Sequence, residues 1–321
     1  MAIKELPPLR GRVLVIAYSA FGDIVQKMAG VKALKKCYPD LSVTWLSCSP
    51  YKQLVEVQPF VNDVLSWDRS LGNRGFLKLL NNIRKRHFDV VLDLKGTDRS
   101  LLMTLFSRAP VCIGWHARIP FFHNYFTYDP WSFLNIDVHR EKGPHIFIPD
   151  ELKETIRKQF KFDKAPLIVC VVGASKPEKC WPIGHWVRFL DMLAGYDANI
   201  CIIGHGTTEE RLSEQLCHET RNNKVCNATG QLSFLEMGAM IARASLVIGG
   251  DTGPSHFAEE LGVPLIGLFG PTEPHEAGYK NIVALLAECT HVGCQNWRCS
   301  FPCMETITPQ KVLNATLSLL A

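Results

Sequence analysis

Residues 248–275 read IGGDTGPSHFAEELGVPLIGLFGPTEPH. An apolar run ends in a glycine turn, a helix-forming segment follows, and a second apolar run ends in a second polar turn. Pro254 suits the first position of the helix, Gly262 suits its close, and Pro264 stands just beyond. Strand, turn, helix and strand in that order form one parallel crossover unit. The turn places Thr252, Gly253 and the amides after them at a helix N-terminus, where free N–H groups and the helix dipole stabilise an anion. The plainer alternative is a packing corner, with Asp251 capping the helix and His256 satisfied in the core. A second polar turn at a neighbouring strand end, LFGPTEP (268–274), weighs against that alternative.

The same alternation extends in both directions. Strands are expected at 167–172, 199–203, 245–249 and 263–269, with helices near 182–194, 207–220, 233–243 and 254–261. ITPQKVLNATLSLLA (307–321) reads as a closing helix, with Thr308 as N-cap and Pro309 at its first position. Nearer the start, strands are expected at 12–18, 42–48, 63–67, 89–94 and 111–115, and helices at 24–38, 75–87 and 99–108. Residues 116–150 carry aromatic, histidine, proline and basic residues without periodicity and read as loops and a crossing between domains. A chain of 321 residues suggests two domains of roughly 150 residues. The expected architecture is α/β: two Rossmann-like doubly wound domains, 1–155 and 156–321, facing across a cleft.

A net charge of +4 spread along the chain implies no nucleic-acid partner, while a mild preference for anionic ligands or an anionic membrane surface is compatible with it. The N-terminal apolar run is about seven residues, a core strand rather than a signal segment, so the expected location is cytoplasmic. Twelve cysteines in a reducing compartment read mostly as small buried hydrophobes, Cys170 and Cys201 among them.

Two further polar turns follow strands. AYSAFGDI (17–24) sets Asp23 in the first turn of a helix, either as a simple cap or as a working carboxylate. VVGASKPEKCWPIGHW (171–186) offers Ser175, Lys176 and Lys179 to a phosphate, or is a solvated basic loop beside the packed Trp181 and Trp186. Near the end, Cys289, Cys294, Cys299 and Cys303 have a loose but tolerable zinc-ligand spacing; the alternatives are a structural metal or a reduced cluster. Neither a dinucleotide fingerprint, P-loop, HExxH, GxSxG nor Asp-x-Asp is present.

GDIVQKMAGVKALKKCYPD, FDVVLDLKGTDRS, KCWPIGHW and GGDTGPSHFAEELGVPLIGLFGPTEP together resemble the ADP-heptose:lipopolysaccharide heptosyltransferases, glycosyltransferase family 9. The cysteine-bearing tail followed by MxxITPxxV resembles the second-heptose branch, and the matches run in order from 13 to about 317. The resemblance implies a GT-B fold and inverting transfer of L-glycero-D-manno-heptose from ADP-heptose to the lipopolysaccharide inner core, with no essential metal or other cofactor. It implies that Asp23 is the base, that Lys179 meets the donor phosphates and that Ser175 is the phosphate-loop hydroxyl. Asp251, Thr252, Gly253 and His256 then fall in the donor block, and Glu209 or Glu210 holds the ribose.

Lys95, Arg99 and Arg118 are candidates for gripping an acidic Kdo- or heptose-bearing acceptor, or are solvated surface residues. The chain departs from the family pattern at Ala29 and Lys27, on the acceptor side. The implied location is the inner face of the inner membrane, in peripheral contact with it. Two alternatives stand beside this reading: the same fold with another nucleotide sugar or acceptor, protein included, and a non-catalytic nucleotide-binding protein with a metal-bound cysteine module.

Overall fold

A computed structural model describes residues 6–114, 125–138 and 144–321. The contacts divide the chain into two compact units, Met1–Phe147 and Ile148–Ala321. The division falls slightly ahead of the expected change near 155, because the helix at Asp150–Gln159 packs on one at Phe234–Arg243.

In the first unit the described strands are β1 (Arg12–Ile16), β2 (Ser42–Cys48), β3 (Asp63–Trp67), β4 (Val90–Asp93), β5 (Val111–Gly114) and β6 (Tyr125–Phe126). Helix α1 (Phe21–Cys37) follows β1, α2 (Lys52–Glu56) follows β2, α3 (Gly72–Lys85) follows β3, and α4 (Asp98–Ser107) follows β4. A single turn, α5 (Pro130–Phe133), is capped by the Asp129 carboxylate on the Trp131 and Ser132 amides. All pairings are parallel, in the order β3-β2-β1-β4-β5-β6. The chain winds outward from β1 in one direction, then restarts at β4 and winds in the other. Right-handed crossovers therefore set α1 and α2 on one face and α3 and α4 on the opposite face, where α3 and α4 pack against each other.

The second unit repeats the plan. After α6 (Asp150–Gln159) come β7 (Leu167–Val171), α7 (Ile183–Leu193), β8 (Asn199–Ile203), α8 (Thr207–Glu219), β9 (Val225–Asn227) and α9 (Phe234–Arg243). Then follow β10 (Leu246–Gly250), α10 (Gly253–Glu260), β11 (Leu265–Phe269), β12 (Val283–Leu286) and α11 (Pro309–Leu320). The order is β12-β11-β10-β7-β8-β9, again all parallel.

The central strands β7, β10 and β11 are buried at every position, as strands covered on both faces must be. Their aliphatic side chains pack with Trp181, Trp186 and Phe189 into one core. Trp181 meets Trp186 edge-on at 4.9 Å and donates its indole N–H to the Ile307 carbonyl at 2.7 Å. Cys170 lies in this core, where burial pushes its thiol up to about 12, and Cys201 is equally inaccessible. The closing helix starts as expected: the Thr308 hydroxyl caps the Lys311 amide, Pro309 opens the helix, and α11 packs on α7.

Candidate active site

Each sheet has one point where the winding reverses, between β1 and β4 and between β7 and β10. Ligands of doubly wound sheets bind beyond the strand ends at such a point. Both places carry an ion pair between the two loops that leave the reversing strands.

In the second unit, Lys179 leaves β7 on a short turn and Asp251 leaves β10. The Lys179 ammonium donates to the Asp251 carboxylate at 2.5 Å and to its carbonyl at 3.2 Å. His256 Nε2 lies 3.4 Å from the other Asp251 oxygen. Burial opposes ionisation of Asp251, but the hydrogen bonds from His256 and Lys179 prevail and hold its acid at about 2. Helix α10 starts at Gly253, one residue ahead of Pro254, with Thr252 in extended conformation at the N-cap. Asp251 is thus no helix cap, and His256 is buried but committed to the carboxylate.

The His256 ring stacks on Tyr279 at 4.2 Å, and the Tyr279 hydroxyl lies 3.3 Å from the Thr252 amide. Trp297 brings its ring to 5.6 Å from the Lys179 ammonium. Neither Tyr279 nor Trp297 is signalled by sequence, because each reaches the turn from a separate loop.

Glu209 and Glu210 separate clearly. Glu209 folds over the ends of β7 and β8, where its carboxylate accepts the His205 amide at 2.9 Å and burial raises its acid. Only glycine leaves it that space: a Cβ at Gly173 or Gly204 would stand 2.3 Å from Glu209 atoms. Glu210 turns toward Gly230 instead. Ser175 is exposed in the loop after β7.

In the first unit, the Asp23 carboxylate accepts from the Lys95 ammonium at 2.6 Å and from the Ala20 amide at 3.2 Å. It is both a cap and half of an ion pair. Partial burial works against ionisation, yet the Lys95 hydrogen bond and the Lys27 charge outweigh it and lower the acid below the usual carboxylate range. Lys27 is held low itself, first by burial. Ala29 is buried in α1.

Lys95 is placed by a residue that the sequence did not single out. Asp93, fully buried at the end of β4, accepts the amides of Lys95 and Gly96 at 3.0 and 3.1 Å. Arg99 lies over Trp67 at 5.3 Å and Phe76 at 5.7 Å, and Arg69 approaches the same Trp67 at 5.7 Å. Arg118 lies outside the described residues.

Among the described residues no group of three or more His, Cys, Asp and Glu side chains is placed to hold a metal, and Cys289, Cys294, Cys299 and Cys303 are free thiols. Their segment instead docks on the turn after β11. The Gly293 amide donates to Gly270 at 3.1 Å and the Gln295 amide to Pro271 at 2.8 Å, which brings in Trp297.

Two all-parallel six-stranded sheets, each doubly wound, define a GT-B type of α/β fold, and solved structures share it. A glycosyl transferase family 9 protein from Veillonella parvula superposes with a TM-score of 0.87 at 20% identity, over 98% of this chain and 99% of that one. The E. coli heptosyltransferase WaaC with ADP gives 0.77 at 18% identity, over 97% and 100%. By sequence, the lipopolysaccharide core heptosyltransferase OpsX of Haemophilus influenzae is 25% identical over 291 residues, 84% of this chain and 82% of that protein. Residues 76–305 match glycosyltransferase family 9 (heptosyltransferase), and the chain belongs to that family. It is a glycosyltransferase.

Proposed function

We propose that the protein transfers L-glycero-D-manno-heptose, with inversion, from ADP-heptose to the inner core of lipopolysaccharide. The observation that carries this reading is the Lys179–Asp251–His256 group at the start of α10, in a family 9 chain. A diphosphate leaving group needs positive charge, not a proton from a carboxylic acid. An ammonium has three N–H donors. Asp251 takes two from Lys179, and the third suits a phosphate oxygen. The amides that open α10 add an anion-favouring helix terminus. Thr252 and Gly253 supply that terminus, Ser175 an exposed hydroxyl contact, and Glu209, better placed than Glu210, an acceptor for ribose hydroxyls.

Asp23, ionised at neutral pH by its lysine partners, takes the proton of the attacking acceptor hydroxyl as the new bond forms at the anomeric carbon and ADP departs. Lys95, Arg99 and Arg118 hold the acidic groups of the Kdo- or heptose-bearing acceptor. The reaction needs no cofactor, and contact with the cytoplasmic face of the inner membrane is peripheral. Among the described residues no helix is long and apolar enough to cross a membrane.

The test is a panel of nucleotide sugars offered with Kdo-containing and heptose-containing acceptors, with and without a chelator. ADP-heptose is the donor consumed, and chelation leaves the rate unchanged. Consumption of a different nucleotide sugar in its place would overturn the assignment.

A further inference from the structure

Among the described residues, five of the thirteen exposed large hydrophobic ones lie on one layer of the first unit: Leu71 and Leu77 at α3, and Leu102, Leu105 and Phe106 on α4. On α4, residues 102, 105 and 106 share one arc of the helix, while Leu101, Met103, Thr104 and Ser107 face the sheet and are buried. Beyond its first turn, where Asp98 and Arg99 are exposed, the outward face of α4 is therefore apolar where a surface helix normally turns polar residues to water. Its neighbour α3 presents Arg74, Lys78 and Lys85 outward and contains no acidic residue.

Since both helices cover the same face of the sheet and pack together, an apolar stripe lies beside a basic one. The charge is concentrated here. Residues 72–108 hold eight Lys and Arg against three Asp, a surplus of five where the whole chain has a surplus of four.

We propose that the outward α3–α4 surface docks on an anionic lipid bilayer, with Leu102, Leu105 and Phe106 entering the headgroup boundary and Arg74, Lys78 and Lys85 on the headgroup charge. An apolar face of this kind binds interfaces by burying its side chains, and basic residues beside it add attraction to anionic lipid. A two-fold contact between copies of this chain would set the basic stripe near itself, which like-charge repulsion opposes. Lipid is the occupant with the complementary sign.

The placement also suits the site. Leu102 stands three residues along α4 from Arg99, roughly 4.5 Å of helix rise, and α4 starts three residues after Lys95, the partner of Asp23. A lipid-linked sugar would then meet its base close to the bilayer. This proposal rests on the reading of a lipid-linked acceptor.

The experiment floats the full chain with vesicles of phosphatidylglycerol and phosphatidylethanolamine, and with phosphatidylcholine alone, in low and high salt. Wild type floats with the anionic vesicles, and the bound fraction falls in high salt. The combined Leu102→Gln, Leu105→Gln, Phe106→Gln variant partitions about tenfold or more weaker. The Arg74→Gln, Lys78→Gln, Lys85→Gln variant weakens similarly and loses the salt dependence.

Circular dichroism checks that both variants fold, and transfer to a lipid-free acceptor oligosaccharide stays at the wild-type rate. Wild type that ignores anionic vesicles, or variants that float as wild type does, would overturn the docking surface while leaving the transferase reading intact. A dimer by light scattering that the apolar variant abolishes, with flotation unchanged, would reassign the face to a second copy. Vesicle binding that behaves as described in a protein without heptosyl transfer would instead sink the activity and keep the surface.

Discussion

The two ion pairs occupy equivalent places in two sheets of the same topology, with their signs exchanged. In the first unit the acid, Asp23, follows the strand that starts the winding, and the ammonium, Lys95, follows the strand that restarts it. In the second the ammonium, Lys179, comes first and the acid, Asp251, second. Their surroundings differ more than their positions. The Asp23 side chain is 44% exposed, whereas Asp251 is 11% and Lys179 14% exposed.

Exposure decides what each pair can do. Asp23 can meet a hydroxyl and accept its proton. Asp251, gripped from two sides, is a fixed negative charge that orients Lys179 and His256. The same pairing of residue types leaves its carboxylate open to solvent in one unit and holds it buried in the other.

The sharpest way to break the comparison is Asp23→Asn, which keeps the shape and removes the carboxylate proposed as the base. Transfer should fall about 10²–10⁴-fold, with ADP-sugar affinity by calorimetry nearly unchanged. An unaltered turnover number would remove Asp23 from the proton path. Lys179→Ala acts on the other side. Loss of one charge-assisted contact is expected to weaken ADP binding about ten- to hundredfold, and unchanged affinity would take it out of the donor site.

Asp251→Asn tests whether the second pair is structural in the sense argued. The folded acid sits at about 2, below the ordinary value near 3.9. The carboxylate thus contributes stability above about pH 4 that is lost as pH falls through about 2, on the order of 2 kcal/mol at neutral pH. Urea unfolding at pH 7 should show the variant less stable by about that amount, and the gap should narrow in acid. An equal gap at both pH values would contradict the linkage.

The mildest perturbation is Lys95→Met. Without the ammonium the acid of Asp23 rises, so the acid limb of the pH–rate profile should move to higher pH. A profile that stays in place would show that Lys95 does not tune the base.

Most of the fold was legible in the sequence, and the exceptions have a common cause. The long central strands and amphipathic helices carry their pattern locally. The missed elements were the five-residue α2, β6 with two residues, β9 with three, the exposed edge strand β12, and α5 and α6. Each is short or lightly buried, α6 burying only Ile156, so no apolar period marks it. The site was legible in part. Asp23, Lys179 and Asp251 stand in polar turns after strands and could be read there. The pairing of Lys95 with Asp23 could not, nor could the divergence of Glu209 toward Gly173 and Gly204 and of Glu210 toward Gly230, nor the arrival of Tyr279 and Trp297.

By itself, then, the sequence determined two α/β halves, the turns that carry chemistry and the helix start that favours an anion, because hydrophobic period, glycine and proline act over a few residues. Tertiary structure alone decided which charges meet. Lys95 reaches Asp23 and Lys179 reaches Asp251 across 72 residues in each case, because each sheet brings the loops of its two reversing strands side by side.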